Sequence, residues 1–131
     1  MRFYAVGNQY LSSIQQGIQA FHCLGEMVLE HDFNDQFDDW LSNHKTVICL
    51  NGGNNAALTD FWHFLHTDKN TLPYSKFNED EASMGGMLTC VGIVVPEKIY
   101  SIRPDDASTW IGLTAWEVDL GLRLKKMPTA R

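Results

Sequence analysis

Gln19 and His22 stand three residues apart, so on a helix both leave the same face, and an amide beside an imidazole can hold a ligand hydroxyl or the edge of a base. A buried polar pair bonded only to its own protein fits that spacing equally well. Further along, Phe77-Asn78-Glu79-Asp80-Glu81 sets an aromatic ring at the head of an acidic run. Such a ring can stack on a purine or a nicotinamide-derived base, or it can simply close the end of a strand. Carboxylates at Glu79 and Asp80 would accept hydrogen bonds from ribose hydroxyls and repel a diphosphate. Arg103, ahead of Pro104-Asp105-Asp106, carries the planar fork that grips phosphate through two bonds. An ion pair with Asp105 or Asp106 is its ordinary alternative.

Two other groups of residues invite chemistry and are weaker. Asn51-Gly52-Gly53-Asn54-Asn55 is dense in backbone donors and leads into an apolar-striped segment, as a phosphate-holding loop at a helix start does. No Gly-Lys-Ser/Thr follows it, so a plain strand-to-helix turn is the favoured reading, with Asn51 and Asn54 kept as candidate ligand contacts. His63 and His66 share a helical face, yet no third ligand lies within sequence range, so no metal site is expected. Cys90 sits in an apolar run, where a thiol is kept protonated and inert. No catalytic residue and no cofactor is expected.

The elements that must position these side chains can be read from pattern. Arg2 to Gly7 is a short strand closed by the turn-prone Gly7-Asn8. Ser12 and Gln15 have capping-box spacing, and Ile14, Ile18, Phe21 and Val28 recur at helical spacing, which predicts a helix to about His31. Gly17 within it implies close packing against its backbone. Asp35 to Ser42 reads as a short helix with Phe37, Trp40 and Leu41 turned inward. Thr46 to Leu50 is a continuous, β-branched apolar run, the pattern of a buried strand. Leu58, Phe61, Trp62 and Leu65 stripe a third helix; Pro73 to Phe77 and Met87 to Val95 are strands, and Tyr100 to Arg103 is a further one. At the C-terminal side, Thr114 and Glu117 have capping-box spacing, but Trp116, Val118, Leu120, Leu122 and Leu124 alternate strictly with polar or small residues. Period two outweighs a single capping box, so a half-buried strand is expected there.

Bulk composition narrows the class. The 131 residues fit one α/β domain spanning 1–131, a mixed sheet flanked by helices in a three-layer arrangement. A formal net charge of −6 argues against broad, salt-driven binding to nucleic acid, although Arg123, Lys125, Lys126 and Arg131 cluster near one end. Three widely spaced cysteines, each among apolar residues, fit a reducing compartment better than a disulfide framework. No long apolar run or leader-like segment is present, so a cytoplasmic location is expected, and no membrane partner.

The order of elements resembles the type-2 peptidyl-tRNA hydrolases over about residues 2–97. Gln19-Ala20-Phe21-His22 carries the glutamine and histidine of that family at the family's spacing. Phe77 to Glu81 and Leu88-Thr89-Cys90-Val91-Gly92-Ile93 look like its acidic loop and its threonine-bearing final strand. That resemblance implies the hydrolase-like α/β fold and adds Thr89 to Gln19 and His22 as site residues. The family's lysine, four residues before the glutamine, is Gln15 here, and residues 3–44 hold no lysine or arginine at all. Hydrolysis of an aminoacyl ester needs a group to activate water and cations to hold phosphate and oxyanion. Neither task has a performer in this segment.

Tyr10 to Met27, the Asn51-Gly52-Gly53-Asn54 loop and Phe77 through Arg103 together resemble the Thoeris anti-defence sponges, small phage proteins that capture cyclic ADP-ribose isomers. What that resemblance implies is non-catalytic sequestration of a cyclic ADP-ribose-type nucleotide by a symmetric homo-oligomer. Its site would combine Phe77, the loop residues Asn78, Glu79 and Asp80, and Arg103, brought back toward Phe77 by the intervening strand or supplied by a second protomer. A hydrolase with rearranged chemistry at Gln19, His22, Thr89 and a carboxylate, and an interaction protein with Trp40, Trp110 or Trp116 at an interface, are the competing readings.

Overall fold

The computed structural model describes residues 1–32, 34–79 and 86–130. Its centre is a mixed four-stranded sheet ordered β2-β1-β4-β3, made of β1 (Arg2–Gly7), β2 (Val47–Asn51), β3 (Tyr74–Asn78) and β4 (Leu88–Val95). β1 and β2 are parallel, while β4 runs antiparallel to both β1 and β3. Every residue of β4 is buried, because helices cover both of its faces, and this is why it reads as an unbroken apolar run.

One face carries α1 (Ser13–Glu30), α2 (Asp35–Asp39) and a π-helical turn, Trp40–His44, ended by the left-handed Lys45. The capping box predicted at Ser12 and Gln15 is present in both halves. Phe3, Ala5, Ala20, Cys23, Met27, Phe37, Trp40, Cys90 and Val94 make the core on this side. Phe37 and Trp40 are buried as expected, but Leu41 faces solvent. The larger correction concerns α1. Its inward face is Gln19, Ala20, Cys23 and Met27, whereas Ile14, Ile18, Phe21 and Val28 point to solvent. Gly17, expected to meet a close neighbour, has open space where a Cβ would stand.

The other face is covered by α3 (Asn55–Leu65), α4 (Glu97–Tyr100) and α5 (Ala115–Lys126), which share a core with Tyr4, Val6, Leu50, Val91, Ile93 and Val95 of the sheet. The architecture is therefore α/β, with a mixed sheet between two helical layers. Three elements differ from the expectation. Tyr100 to Arg103 is no strand: α4 runs from Glu97 behind Pro96 and ends at Tyr100, and Arg103 forms only an isolated bridge with Asp106. Trp116 to Leu124 is helical. Thr114 Oγ1 accepts from Glu117 N (3.1 Å) and Glu117 Oε1 accepts from Thr114 N (2.8 Å). The period-two series contains Trp116, Leu120 and Leu124 at i, i+4 and i+8, and these are the side chains that α5 buries. Arg123, Lys125 and Lys126, read as a basic patch, occupy the last turn, where cations offset the partial negative charge of free carbonyls.

β2, expected to be buried, is an edge strand with Val47 exposed. A continuous apolar run does not distinguish the two cases here, because the chain returns to cover this edge. Asn51 N donates to Pro128 O (2.8 Å) and Ala130 N to Cys49 O (2.9 Å). Trp40 and Trp116, offered as interface residues, are buried, and Trp110 donates its indole N–H to Arg103 O at 3.0 Å. No helix among the described residues is long and apolar enough to cross a membrane.

Candidate functional site

The carboxyl ends of parallel β1 and β2, the end of β3 and the start of β4 all meet at one end of the sheet. In open α/β sheets the crevice beyond the carboxyl ends of the strands is the usual place for a ligand. Gln19, His22, Phe77, Glu79 and Thr89, proposed separately from sequence, are brought together here.

Gln19 is the hub, 5% exposed. It lies on the inward face of α1 and spans from β4 to the segment after β3. Thr89 donates its hydroxyl to Gln19 Oε1 (3.1 Å) and lies 3.3 Å from Phe77 O as well. Gln19 Nε2 in turn donates to Glu79 Oε2 at 2.9 Å. A buried amide with both ends bonded is held in one orientation, since each unpaired end would cost the desolvation of a polar group. One turn on, the His22 ring stacks on Phe77, with centroids 4.5 Å apart and planes 13° from parallel. Beneath this pair, Ser75 donates to Cys23 O (2.7 Å), tying α1 to β3 through a fully buried hydroxyl. Asn78, on the register shift between β3 and β4, donates to Gly86 O at 3.1 Å. Asp80 and Glu81 lie outside the described residues.

The Asn51–Asn55 loop borders the same end. Asn51 Oδ1 accepts from Gly53 N (2.8 Å) and Gly52 N donates to Gly7 O (2.8 Å), so neither glycine N–H is left for a phosphate. Asn54 caps α3 by accepting from Ala57 N at 2.9 Å. Gly52 permits this turn because a Cβ there would meet Val6 Cγ1 at 2.6 Å, and Gly53 takes φ 87°. Asn8 went unnoticed in the sequence although it is almost wholly buried; its amide donates to Asn55 Oδ1 (3.2 Å) and its oxygen accepts from Tyr10 N (3.1 Å). The only signal for it was the Gly7-Asn8 turn.

Arg103 is not part of this group. β4 starts beside Asn78 and ends with Val95 beside Arg2, so at about 3.4 Å per residue it carries the chain roughly 24 Å away before α4 begins. The intervening strand thus does the opposite of returning Arg103 toward Phe77. Its guanidinium pairs instead with Asp106, whose carboxyl is held below the usual range by hydrogen bonds from Ser108 and by the charge of Arg103. Of His63 and His66, both exposed, His66 stacks on Trp62 (5.1 Å) and shares a 2.8 Å hydrogen bond with Tyr74 OH. Among the described residues no three His, Cys, Asp or Glu side chains converge as metal ligands would.

Chemically, this end of the sheet offers an aromatic stack, a fixed amide, a carboxylate and asparagines. None of its described residues is a lysine or arginine; the nearest in sequence, Lys76, lies over the Trp62 ring at 4.9 Å. No protein-family model matches the chain, and no curated protein matches it significantly either.

Proposed function

We propose that the chain is a non-catalytic binding protein that captures a cyclic ADP-ribose-type nucleotide and thereby removes it from an immune signalling pathway, as the resemblance to the Thoeris anti-defence sponges implies. The observation that supports this reading is the His22–Phe77 stack above the Gln19–Glu79–Thr89 network. His22 is exposed and Phe77 half-buried, so the pair presents an aromatic wall against which a base can lie. Glu79 and the asparagines supply acceptors and donors for ribose hydroxyls. What the site lacks is what hydrolysis of peptidyl-tRNA needs. Among the described residues of the site no lysine or arginine stands ready for phosphate or oxyanion, and the Thr89 hydroxyl and both ends of Gln19 are engaged with each other and with Glu79. The net charge of −6 also disfavours a tRNA surface.

A diphosphate calls for a cation, and β4 leads the chain away from this end of the sheet before Arg103 is reached. In this reading a second copy supplies it; its exposed pair with Asp106 is worth little and exchanges readily for phosphate. The test is to incubate purified protein with cyclic ADP-ribose isomers, remove free ligand, denature the protein by heat and identify what is released. Intact nucleotide is expected. Altered nucleotide would show an enzyme, and no nucleotide would refute capture.

A further inference from the structure

α1 is amphipathic in an unusual sense. Its buried face holds Gln19 and Cys23, while Ile14, Ile18, Phe21, Gly25, Val28 and Leu29, at i, i+4, i+7, i+11, i+14 and i+15, form a stripe on the opposite side. Ile14 and Leu29 are each 77% exposed and Phe21 73%. An apolar helix face normally meets a core; among the described residues this one is left largely open to solvent. The stripe runs without a break into a groove of about 240 Å³ between α1 and β2, floored by Phe3 and walled by Phe21, Leu24 and Val47.

We infer that this face is a self-association surface, seated against the same face of a second copy of the chain. Size supports a protein partner. At about 200 Å² per aromatic and roughly 100 Å² per large aliphatic side chain, the stripe and Tyr10 at its N-terminal end expose on the order of 550 Å² of apolar surface. A standard interface covers about 800 Å² per partner, of which about 60–65% is apolar, so the stripe suffices for the apolar part of one.

Charge selects the partner. Gln9 to Gly25 contains no Asp, Glu, Lys or Arg. Two identical faces brought together by a two-fold axis must meet like with like, and here that juxtaposes no like charges along this stretch. The same fact counts against a lipid surface, since helices that lie on membranes flank their apolar face with lysine and arginine. Gly17 and Gly25 have open space at the Cβ position, so backbone can approach closely. Phe21 meets His22 edge-on, with ring centroids 6.3 Å apart, which sets the seam beside the candidate site.

The interface is independent of the nucleotide reading and is tested without nucleotide. Light scattering on the full chain at micromolar concentration should give twice 14.9 kDa. Ile14→Glu and Phe21→Glu should each give 14.9 kDa with unchanged circular dichroism, because neither side chain is part of the protomer core. Ile111→Glu, at an equally exposed residue outside α1, should leave the dimer intact. A monomeric parent overturns the inference, whether or not it sediments with phosphatidylcholine vesicles, and so does a dimer that survives both α1 variants. Failure of nucleotide capture leaves these masses unchanged, so the two ideas fail separately.

Discussion

Thr89 donates its hydroxyl to Gln19 across seventy residues of chain, in a pair buried from solvent. That bond locks α1 against β4 and fixes the amide that reaches Glu79. Thr89→Val keeps the shape but leaves Gln19 Oε1 without a donor, at about 1–3 kcal/mol of stability. Gln19→Leu should cost less, because the Thr89 hydroxyl keeps Phe77 O as an acceptor while Glu79 is released. Because Gln19→Leu removes the very acceptor that Thr89→Val strands, the double variant should lose less than the two costs added, by roughly 0.5–3 kcal/mol. Urea unfolding of the four proteins checks this, and simple additivity would mean the pair is not coupled.

The stack makes a separable claim about binding. Phe77→Ala removes a ring half-buried at the strand end, so the fold should persist while capture of a cyclic ADP-ribose isomer weakens by about 5- to 200-fold, the equivalent of roughly 1–3 kcal/mol of base stacking. If Arg103 acts from a second copy, Arg103→Ala should also lose capture, and a mixture of the two variants should recover part of it. Calorimetry on the singles and the mixture reads the result. Two silent singles that stay silent when mixed would exclude a site shared between copies, and an Arg103→Ala protein that binds like the parent would place Arg103 outside the site.

α5 carries two opposite lessons about helix design. Thr114→Ala removes half of a capping box and should cost about 1 kcal/mol in thermal or denaturant unfolding. Gly121→Ala would gain close to 1 kcal/mol in propensity on an isolated helix. Here its Cβ would stand 2.7 Å from Ile99 O and 2.5 Å from Ile102 Cδ1, so α4 and α5 must part. A net loss of about 1–3 kcal/mol is expected. A stabilised Gly121→Ala protein would mean that the two helices pack less closely than described.

The thiols give a pH dependence. The hydrogen bond that the protonated Cys90 thiol makes to Cys23, together with burial, pushes it well above the ordinary value of 9.0, and burial raises that of Cys49. A thiol kept protonated in the fold contributes stability that is whole below 9.0 and lost as pH climbs past that value, because the unfolded chain ionises first. Chemical denaturation should therefore show a stability falling above that pH, less steeply in Cys90→Ala. Iodoacetamide at neutral pH should modify half-buried Cys49 before Cys23 or Cys90. Rapid labelling of all three in the native protein would contradict the burial.

Much of the sheet was legible because β4 and β1 are covered on both sides and their side chains are almost uniformly apolar. The Ser12 capping box was legible because a cap depends on neighbours three residues away. α5 was misread for a physical reason: every second residue being apolar includes every fourth, and only the Thr114–Glu117 cap separated the two periods. α1 was placed well but turned the wrong way. Sequence alone assigns a stripe such as Ile14, Ile18 and Phe21 to the interior, and here the interior is taken by Gln19, Cys23 and Met27. Of the candidate site, the Gln19, His22, Phe77, Glu79 and Thr89 group was reachable through spacing and resemblance. The distance of Arg103 was not, since nothing between Phe77 and Arg103 states which way β4 runs.

The strap that Pro128 to Ala130 lays along β2 has a consequence for how the molecule is made. β2 is made long before residues 128–130, and its outer row of hydrogen-bonding groups has no partner until those residues emerge from the ribosome. At about 5–20 residues per second, the roughly eighty intervening residues keep that edge bare for several seconds on every nascent chain. Crowded polysomes, rather than the finished protein, are where this sequence is most exposed to wrong strand pairing.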